Sequence, residues 1–201
     1  MKTLLSSPKP QSWSHALQSQ LVPGRAYRRA ELVEKSNAVD RHLSELVANG
    51  NIKKLAQGLY YKPKQSRFGP LPPNERQLIE AFLGDKVFLN FSPSVYNTVG
   101  LGTTQLYNTT VVYNHKRHGV FKLGNRQFSF RVKPRFPKTL SAEFLFVDLL
   151  NNLSELAEDQ DEVLQKAKIK VISFDQTRLR KTADSYGSAA TRKLLRVWLH
   201  G

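Results

Sequence analysis

The chain has 201 residues, no cysteine and a formal net charge of +15, with a sequence pI of about 10.1. The lack of cysteine excludes a disulfide framework and thiolate chemistry, and fits a reducing cytoplasm. No apolar run reaches the roughly 18 residues of a spanning helix, and the N-terminal segment has no apolar stretch of signal-peptide length. We therefore expect a cytoplasmic protein whose partner is nucleic acid rather than a membrane.

The excess of positive charge is confined to the first two thirds of the chain. Residues 1–64 hold eleven basic and four acidic residues, and residues 65–138 hold eleven and three. Residues 139–201 hold nine of each. The polyanion-binding surface is therefore expected within residues 1–138, and solubility alone is the alternative explanation of such a charge.

Three helices are predicted before residue 50. Apolar positions from Trp13 to Leu21 predict the first helix, and Pro23-Gly24 is expected to end it. A short extended segment is predicted at Arg25–Tyr27, followed by a second helix around Arg29–Lys35. The third helix is predicted between an N-cap at Ser36 and a left-handed residue at Gly50.

The third helix has two distinct faces. Its inward face is predicted from apolar residues at three- and four-residue steps, and its outward face from the polar residues between them. The inward set is Val39, Leu43, Leu46 and Val47, and the outward set is Asn37, Asp40, Arg41 and Ser44.

A basic hairpin follows the third helix. Ile52–Leu55 and Leu59–Lys62 read as strands around Ala56-Gln57-Gly58, where Gly58 supplies a positive φ. Helix, helix, helix, hairpin is the order of a winged helix-turn-helix. We therefore predict a winged-helix domain over residues 1–64.

Residues 65–73 are predicted to be a linker, because proline is frequent there and regular structure should end. Residues 74–201 are predicted to form a mixed second domain, which makes the whole chain an α+β protein. Its expected elements are a helix capped by Asn74, a strand at Lys86–Phe91, a short helix capped by Ser92 or Ser94, strands at Thr109–Tyr113, Gly119–Leu123 and Gln127–Val132, and helices from Ser141 onward.

The winged helix suggests roles for its polar residues. Asn37 can pair with adenine, Arg41 with guanine, and Ser44 with either base. The remaining candidates for DNA contact, through phosphate or in the minor groove, are Arg25, Arg28, Arg29, Lys53, Lys54, Gln57 and Lys62. A winged helix that binds a protein partner is the competing interpretation.

A second basic cluster lies between two of the predicted strands. Lys116, Arg117 and His118 are expected to be close to Lys122 and Arg126 on the adjoining hairpin. A phosphate contact and a solvated loop are both compatible with this pattern. A metal site at His115 and His118 is disfavoured, because no cysteine or paired carboxylate completes a ligand set.

Signals for catalysis are weak. The sequence has no glycine-rich phosphate loop, serine-nucleophile elbow or HExxH motif. The carboxylates Asp85, Glu143 and Asp148 have no spacing that suggests a metal-dependent nuclease. We therefore expect no enzyme activity, no cofactor and no metal, and we interpret the aromatic residues of the second domain as core.

Two motifs resemble those of the AbiEi-type antitoxins. The first is SNAVDRHLSELVANGNIKKLAQGLYYKP, which begins at Ser36, and the second is NTVGLGTTQ, from Asn97 to Gln105, which is similar to the family's Asn-x-x-Gly-Leu-x-Thr-Gln element. The resemblance spans roughly residues 12–136. The positions that inherit a DNA role from it are Ser36, Asn37, Arg41, Ser44, Lys53 and Lys54.

The resemblance implies a DNA-binding antitoxin of a bacterial toxin-antitoxin, or abortive infection, operon. Such a protein represses its own promoter through repeated sites on double-stranded DNA. Its functional partner is a nucleotidyltransferase-like toxin, and the type IV arrangement implies no stable complex with that toxin. The C-terminal domain is needed for antitoxicity in this family.

Three alternatives remain open from the sequence. The first is a solitary transcriptional regulator with the same architecture. The second is a nucleic-acid-processing enzyme with its site in the C-terminal domain. The third is an interaction module whose basic surface binds an acidic toxin or an RNA.

Overall fold

The computed structural model describes residues 13–101, 108–156 and 158–200. Residues 1–12, 102–107, 157 and 201 lie outside the described residues, and they include Gly102–Gln105 of the second family-like motif. Contacts divide the chain into one compact unit that ends at Lys86 and also includes Lys122–Asn125, and a second that comprises the other residues from Val87 onward. Helices and strands occur in both units, which is consistent with the expected α+β class.

The first unit combines short helices with a small sheet. Its described elements are α1 Trp13–Ser19, β1 Ala26–Arg28, α2 Arg29–Val33, α3 Val39–Ala48, β2 Lys53–Ala56, β3 Leu59–Tyr61, β4 Gln65–Ser66, β5 Gly69–Pro70 and α4 Glu75–Leu83. The strands β1, β3 and β2 form an antiparallel sheet with β3 in the centre.

The predicted apolar face of α3 anchors the core of this unit. Leu43 and Leu46 are at most 1 % exposed, and they pack with Leu17 and Leu21 of the α1 region. Ile52, at the start of the hairpin, joins the same cluster. Burial of these side chains holds α3 and the hairpin together, since each large aliphatic side chain contributes about 1.5–3 kcal/mol.

The boundary between the units differs from the prediction. The predicted linker contains a two-stranded hairpin, β4–β5, in which Ser66 pairs with Gly69. The helix α4 that follows packs on β1, and its Leu78 and Ile79 are fully buried. The first unit therefore continues to Lys86, because the buried face of α4 is needed to cover β1.

The second unit places a four-stranded sheet beside a helical layer. Its described elements are β6 Leu89–Phe91, a 3-10 helix Pro93–Val99, β7 Thr109–Asn114, β8 Gly119–Leu123, β9 Arg126–Val132, α5 Ala142–Asn151, a 3-10 helix Leu153–Glu155, α6 Gln160–Lys170, a 3-10 helix Val171–Ser173, α7 Gln176–Tyr186 and α8 Ala189–His200. The last two residues of β8 are counted with the first unit. The predicted caps Asn74 and Ser92 are confirmed, because each side chain accepts a hydrogen bond from a first-turn N–H.

The strand order is β6-β7-β9-β8, with β7 and β9 parallel. The segment that connects β7 to β8 must therefore pass over the end of β9, which lies between these two strands in the sheet. The carboxamide of Asn114, which is 1 % exposed, organises this crossing: its Oδ1 accepts from the backbone N–H groups of Lys116 and Arg117, and its Nδ2 donates to the carbonyl of Arg117 at 3.0 Å. The predicted β8–β9 hairpin is confirmed, with Gly124 at φ +66°.

The helix α5 lies at the centre of the helical layer. Every residue from Phe144 to Leu150 is buried, and α5 packs against α7 and α8. The predicted aromatic core is confirmed for Phe88, Phe91 and Tyr113, which are at most 5 % exposed. These rings are therefore unavailable as a platform for stacking bases.

Candidate nucleic-acid interface

The C-terminal end of α3 is closed by a turn at Gly50. Gly50 has a φ of +71°, its N–H donates to the carbonyl of Val47 at 3.0 Å, and the N–H of Asn51 donates to the carbonyl of Leu46 at 2.9 Å. These bonds satisfy the last carbonyls of the helix and lead the chain directly into the hairpin. The prediction for Gly50 is confirmed.

The N-terminal end of α3 differs from the prediction, because Ser36 does not cap the helix. The N-cap is Ala38, and the Ser36 hydroxyl lies 2.6 Å from Nδ1 of His42. His42 is 5 % exposed, and its Nε2 has no hydrogen-bond partner among the described residues. A histidine at the edge of the apolar stripe was the only sequence signal for this buried contact. Ser36 thus positions an imidazole that belongs to the inner face of α3.

The outer face of α3 is formed by Asp40, Arg41 and Ser44, all exposed as predicted. Asn37 is exposed too, but it precedes the helix, which begins at Val39 after the N-cap Ala38. Arg41 is 67 % exposed, and its Nε lies 3.7 Å from Oε1 of Glu45 one turn later. Such a pair is weak, so the guanidinium can turn to another partner at little cost. The Ser44 hydroxyl donates to the carbonyl of Asp40 at 2.8 Å, which leaves its oxygen as an acceptor for a base amino group.

Asp40 holds Arg29 in a bidentate ion pair. Nε and Nη2 of Arg29 each lie 2.6 Å from a different oxygen of the carboxylate. The hydrogen bond and the opposite charge raise the pKa of Arg29 and lower the pKa of Asp40. The pair is exposed to solvent, so it orients Arg29 beside α3 rather than stabilising the fold.

The other two arginines predicted to contact phosphate also have partners inside the first unit. The Arg25 guanidinium lies 4.9 Å from the centre of the Tyr27 ring and 3.6 Å from Glu31. The Arg28 guanidinium lies against Gly84 at the C-terminal end of α4, where a Cβ would collide with it. Arg25 remains exposed, whereas Arg28 is half-buried and directed toward α4.

The β2–β3 hairpin exposes the predicted cationic side chains, except for Lys62. Lys53, Lys54 and Gln57 are exposed, and Gly58 adopts a φ of +68° in the turn. The pairing of the two strands shifts between Lys54 and Ala56, which marks a bulge next to the turn.

The predicted DNA contact at Lys62 is not supported by its position. Its ammonium donates to the carbonyls of Gln18 at 2.9 Å and Leu21 at 2.8 Å, so it closes the C-terminal end of α1. A cation is favoured near the last carbonyls of a helix, and here it supplements the bond that the N–H of Leu21 donates to the carbonyl of Gln18 at 3.2 Å. Lys62 therefore stabilises the first unit.

A depression of about 360 Å³ opens at the start of α3. Its polar lining consists of Glu34, Lys35, Ser36, Asn37, Arg41 and His42. Two of these side chains are cationic, one is a carboxylate, and Ser36 and Asn37 are neutral hydrogen-bonding groups. This depression therefore gives the outer face of α3 a concave end at which a phosphate or a base edge can be enclosed.

The second basic cluster does not form a single patch. Lys116, Arg117 and His118 lie in the turn before β8, whereas Lys122 is near the end of β8 and Arg126 begins β9. His118 immediately precedes β8, whereas Lys122 is its second-last residue, at the opposite end of the strand. His115 in the turn stacks on Phe136 at 4.8 Å, and its Nδ1 lies 3.0 Å from the carbonyl of Lys133. The sequence-predicted cluster is therefore two separate groups.

The sequence interpretation missed a buried polar network around Asp148. This carboxylate is 2 % exposed, and it accepts from the hydroxyls of Tyr96 and Tyr113, each at 2.8 Å. Asn152 donates to the Tyr113 hydroxyl at 3.1 Å, and Arg131 donates to Asn152 at 3.0 Å. An aspartate inside the apolar run of α5 was the available signal, because a charge there must find partners when it is buried.

Burial governs protonation in this network. Desolvation raises the pKa of Asp148, and burial next to that carboxylate raises the pKa of both tyrosines, which therefore remain hydrogen-bond donors. Asp148 thus serves as an acceptor that ties the sheet to α5. Its two oxygens are engaged by the hydroxyls, which does not suit a ligand for a catalytic metal.

The raised pKa of Asp148 predicts a pH-dependent stability. A group whose folded pKa lies above its unfolded value stabilises the fold at low pH, and this contribution is lost as pH rises through the folded pKa. The unfolding free energy of the wild type, minus that of Asp148→Asn, should therefore fall as pH increases above about 3.8, the ordinary value. Urea titrations at a series of pH values measure this difference. A difference that rises with pH would contradict the assignment.

Within the described part of the chain, no three histidine, aspartate or glutamate side chains converge to hold a metal ion. Asp85 belongs to the first unit and Asp148 to the buried network of the second. Among the described helices, none has both the length and the apolar character needed to cross a bilayer.

Comparison with known proteins gives no match. No family model, curated protein or solved structure is significantly similar to the chain.

Proposed function

We propose that this protein is a cytoplasmic DNA-binding regulator whose first unit is a winged helix. The observation that carries the proposal is the exposed outer face of α3 next to a hairpin that bears Lys53 and Lys54. The order of elements and the central position of β3 in the sheet fit a winged helix as well. In this arrangement α3 enters the major groove and the hairpin lies along the backbone.

The proposal assigns base reading to three side chains. Arg41 pairs with guanine, because its guanidinium is exposed and only weakly held by Glu45. Asn37 pairs with adenine at the start of the helix, and Ser44 accepts from an exocyclic amino group. A good bidentate pair, such as those assigned to Arg41 and Asn37, gives about 1–3 kcal/mol of discrimination against a wrong base.

Phosphate binding is assigned to the hairpin and to the arginines beside α3. Lys53, Lys54 and Gln57 face the backbone or the minor groove, and Arg25 and Arg29 contribute from the other side. Lys62 and Arg28 are left out, because their charges are directed at helix ends within the first unit. The two basic groups near β8 remain candidates for additional phosphate contacts.

Asp40 is expected to restrain DNA binding, which gives a direct test of the outer face. Asp40→Asn removes a negative charge from that face and releases Arg29 from its bidentate pair. We expect the affinity for duplex DNA to rise by about threefold to tenfold at 0.15 M salt. A negative charge within the Debye length of about 8 Å repels the phosphates, and the substitution removes this repulsion. Fluorescence anisotropy with a labelled duplex measures the change.

The matched control is Asp161→Asn, which removes one exposed acidic charge from the first turn of α6 in the second unit and should leave the affinity nearly unchanged. An Asp40→Asn variant with unchanged or reduced affinity would show that DNA does not approach this face.

We further propose that the regulator acts as an antitoxin that represses its own promoter. This step rests on the motif resemblance and implies a nucleotidyltransferase-like toxin as functional partner, without a stable complex. No enzyme activity, cofactor or metal is part of the proposal. A reporter fused to the protein's own upstream DNA tests repression: expression of the protein should lower reporter activity, and Arg41→Ala should restore it. A reporter that does not respond would exclude autorepression.

A further inference from the structure

The neutral last third of the chain is divided into an acidic and a basic half. Residues 139–175 hold three basic and eight acidic residues, whereas residues 176–201 hold six basic residues and one acidic residue. All six basic side chains are exposed on α7 and α8. They are Arg178, Arg180, Lys181, Arg192, Lys193 and Arg196.

Three of these arginines surround a cleft between α7 and α8. The cleft has a volume of about 150 Å³ and an apolar floor that includes Ala183 and Leu195, both buried. Arg180 lines it from α7, and Arg192 and Arg196 line it from α8. Because Arg192 and Arg196 are four residues apart, they project from the same side of the helix.

The guanidiniums on α8 are available to a ligand. Nη2 of Arg180 donates to the carbonyl of Leu199 at 2.9 Å, which fixes this arginine across the cleft. Within the described ranges, the guanidiniums of Arg192 and Arg196 make no hydrogen bond or ion pair. Two like charges one turn apart on a helix repel each other, and a bound anion would relieve this repulsion.

The size and charge of the cleft define its ligand. Its volume is well below the roughly 300 Å³ of pockets that hold drug-sized molecules, so it suits a single small group. Three arginines and Asp184 give the lining a net charge of +2. A phosphate monoester carries about −1.5 to −2 at pH 7, which matches this charge better than a carboxylate or a phosphodiester of the DNA backbone.

We propose that the α7–α8 cleft is a binding site for a phosphate monoester or inorganic phosphate dianion. The planar guanidiniums of Arg192 and Arg196 supply bidentate hydrogen bonds to the phosphate oxygens. Arg180 closes the site from the opposite helix, and Asp184 limits its net charge. The site is independent of the DNA-binding function proposed for the first unit.

The test is a calorimetric titration of the full chain with inorganic phosphate at constant ionic strength. The double variant Arg192→Gln/Arg196→Gln should bind at least about tenfold more weakly than the wild type. The matched control Arg178→Gln/Lys181→Gln removes the same charge from the surface of α7 and should bind like the wild type. Circular dichroism establishes that both variants retain the fold, as expected for exposed positions and a good helix former.

Three further measurements sharpen the test. Asp184→Asn should strengthen phosphate binding, and binding should weaken as pH falls through the second pKa of inorganic phosphate, because the monoanion then replaces the dianion. Dimethyl phosphate, a diester, should bind much more weakly than inorganic phosphate. Absence of saturable binding, equal loss in the control variant, or equal affinity for the diester would each overturn the proposal. So would a double variant that loses affinity for duplex DNA while its affinity for inorganic phosphate is unchanged.

Discussion

Asp148→Ala is expected to lower the free energy of unfolding of the second unit by about 3–5 kcal/mol. The substitution removes the acceptor of two buried tyrosine hydroxyls and leaves a small cavity. An orphaned buried polar group costs about 1–3 kcal/mol, and the cavity adds to this cost. Because a folded domain is stable by only about 5–15 kcal/mol, a loss of this size weakens the whole unit.

The chain offers a clean probe for this measurement. It contains two tryptophans, and Trp198 packs against the core of the second unit. In a Trp13→Phe background, urea unfolding followed by the fluorescence of Trp198 reports on that unit alone. The control is Glu143→Ala, which removes a carboxylate from the first turn of α5 and should cost about 1 kcal/mol or less. A loss for Asp148→Ala that is no larger than this would show that the network contributes little.

Lys53→Ala/Lys54→Ala is expected to weaken binding to every duplex irrespective of sequence. If the protein contacts about six phosphates, the logarithm of the association constant should fall with the logarithm of the salt concentration, with a slope of about −5. Loss of two phosphate contacts should reduce the magnitude of this slope by about two, because each contact contributes roughly 0.9. Affinities measured between 50 and about 200 mM salt give the slope directly.

A second double variant controls for net charge. Lys166→Ala/Lys168→Ala removes two exposed lysines from α6 in the second unit, and it should leave the slope unchanged. If both double variants change the slope equally, the hairpin has no specific role and the dependence reflects total charge.

The local structure of the first unit could be predicted well because it depends on neighbours in sequence. The step of three and four residues predicts the buried face of α3, and Gly50 and Gly58 mark positions where a positive φ is required. The exposure of Arg41 and Ser44 follows directly from the same periodicity, whereas Asn37 lies before the helix.

Contacts between distant residues could not be predicted in the same way. The ammonium of Lys62 binds carbonyls 41 and 44 residues earlier, and Asp148 binds a hydroxyl 52 residues earlier. The spacing of apolar residues along the sequence does not predict such pairs, because they depend on how whole helices and strands pack together. The parallel pairing of β7 with β9 was missed for the same reason.

Charge and composition, when averaged over long segments, did not reveal two other features of the structure. The neutral charge of residues 139–201 concealed the basic surface of α7 and α8, because the acidic residues before Gln176 cancel it. The proline-rich segment suggested a linker, but the buried face of α4 belongs to the first unit. Composition alone does not indicate which face of a later helix covers an earlier strand.

The most direct test of the central claim compares two duplexes of equal length, the protein's own upstream DNA and a scrambled sequence, with the wild type and Arg41→Ala. We predict that the wild type prefers the upstream duplex by about tenfold or more, and that Arg41→Ala abolishes most of this preference. Its affinity for the scrambled duplex should change little. Equal binding of both duplexes by the wild type, or an equal loss on both with Arg41→Ala, would contradict sequence reading by α3.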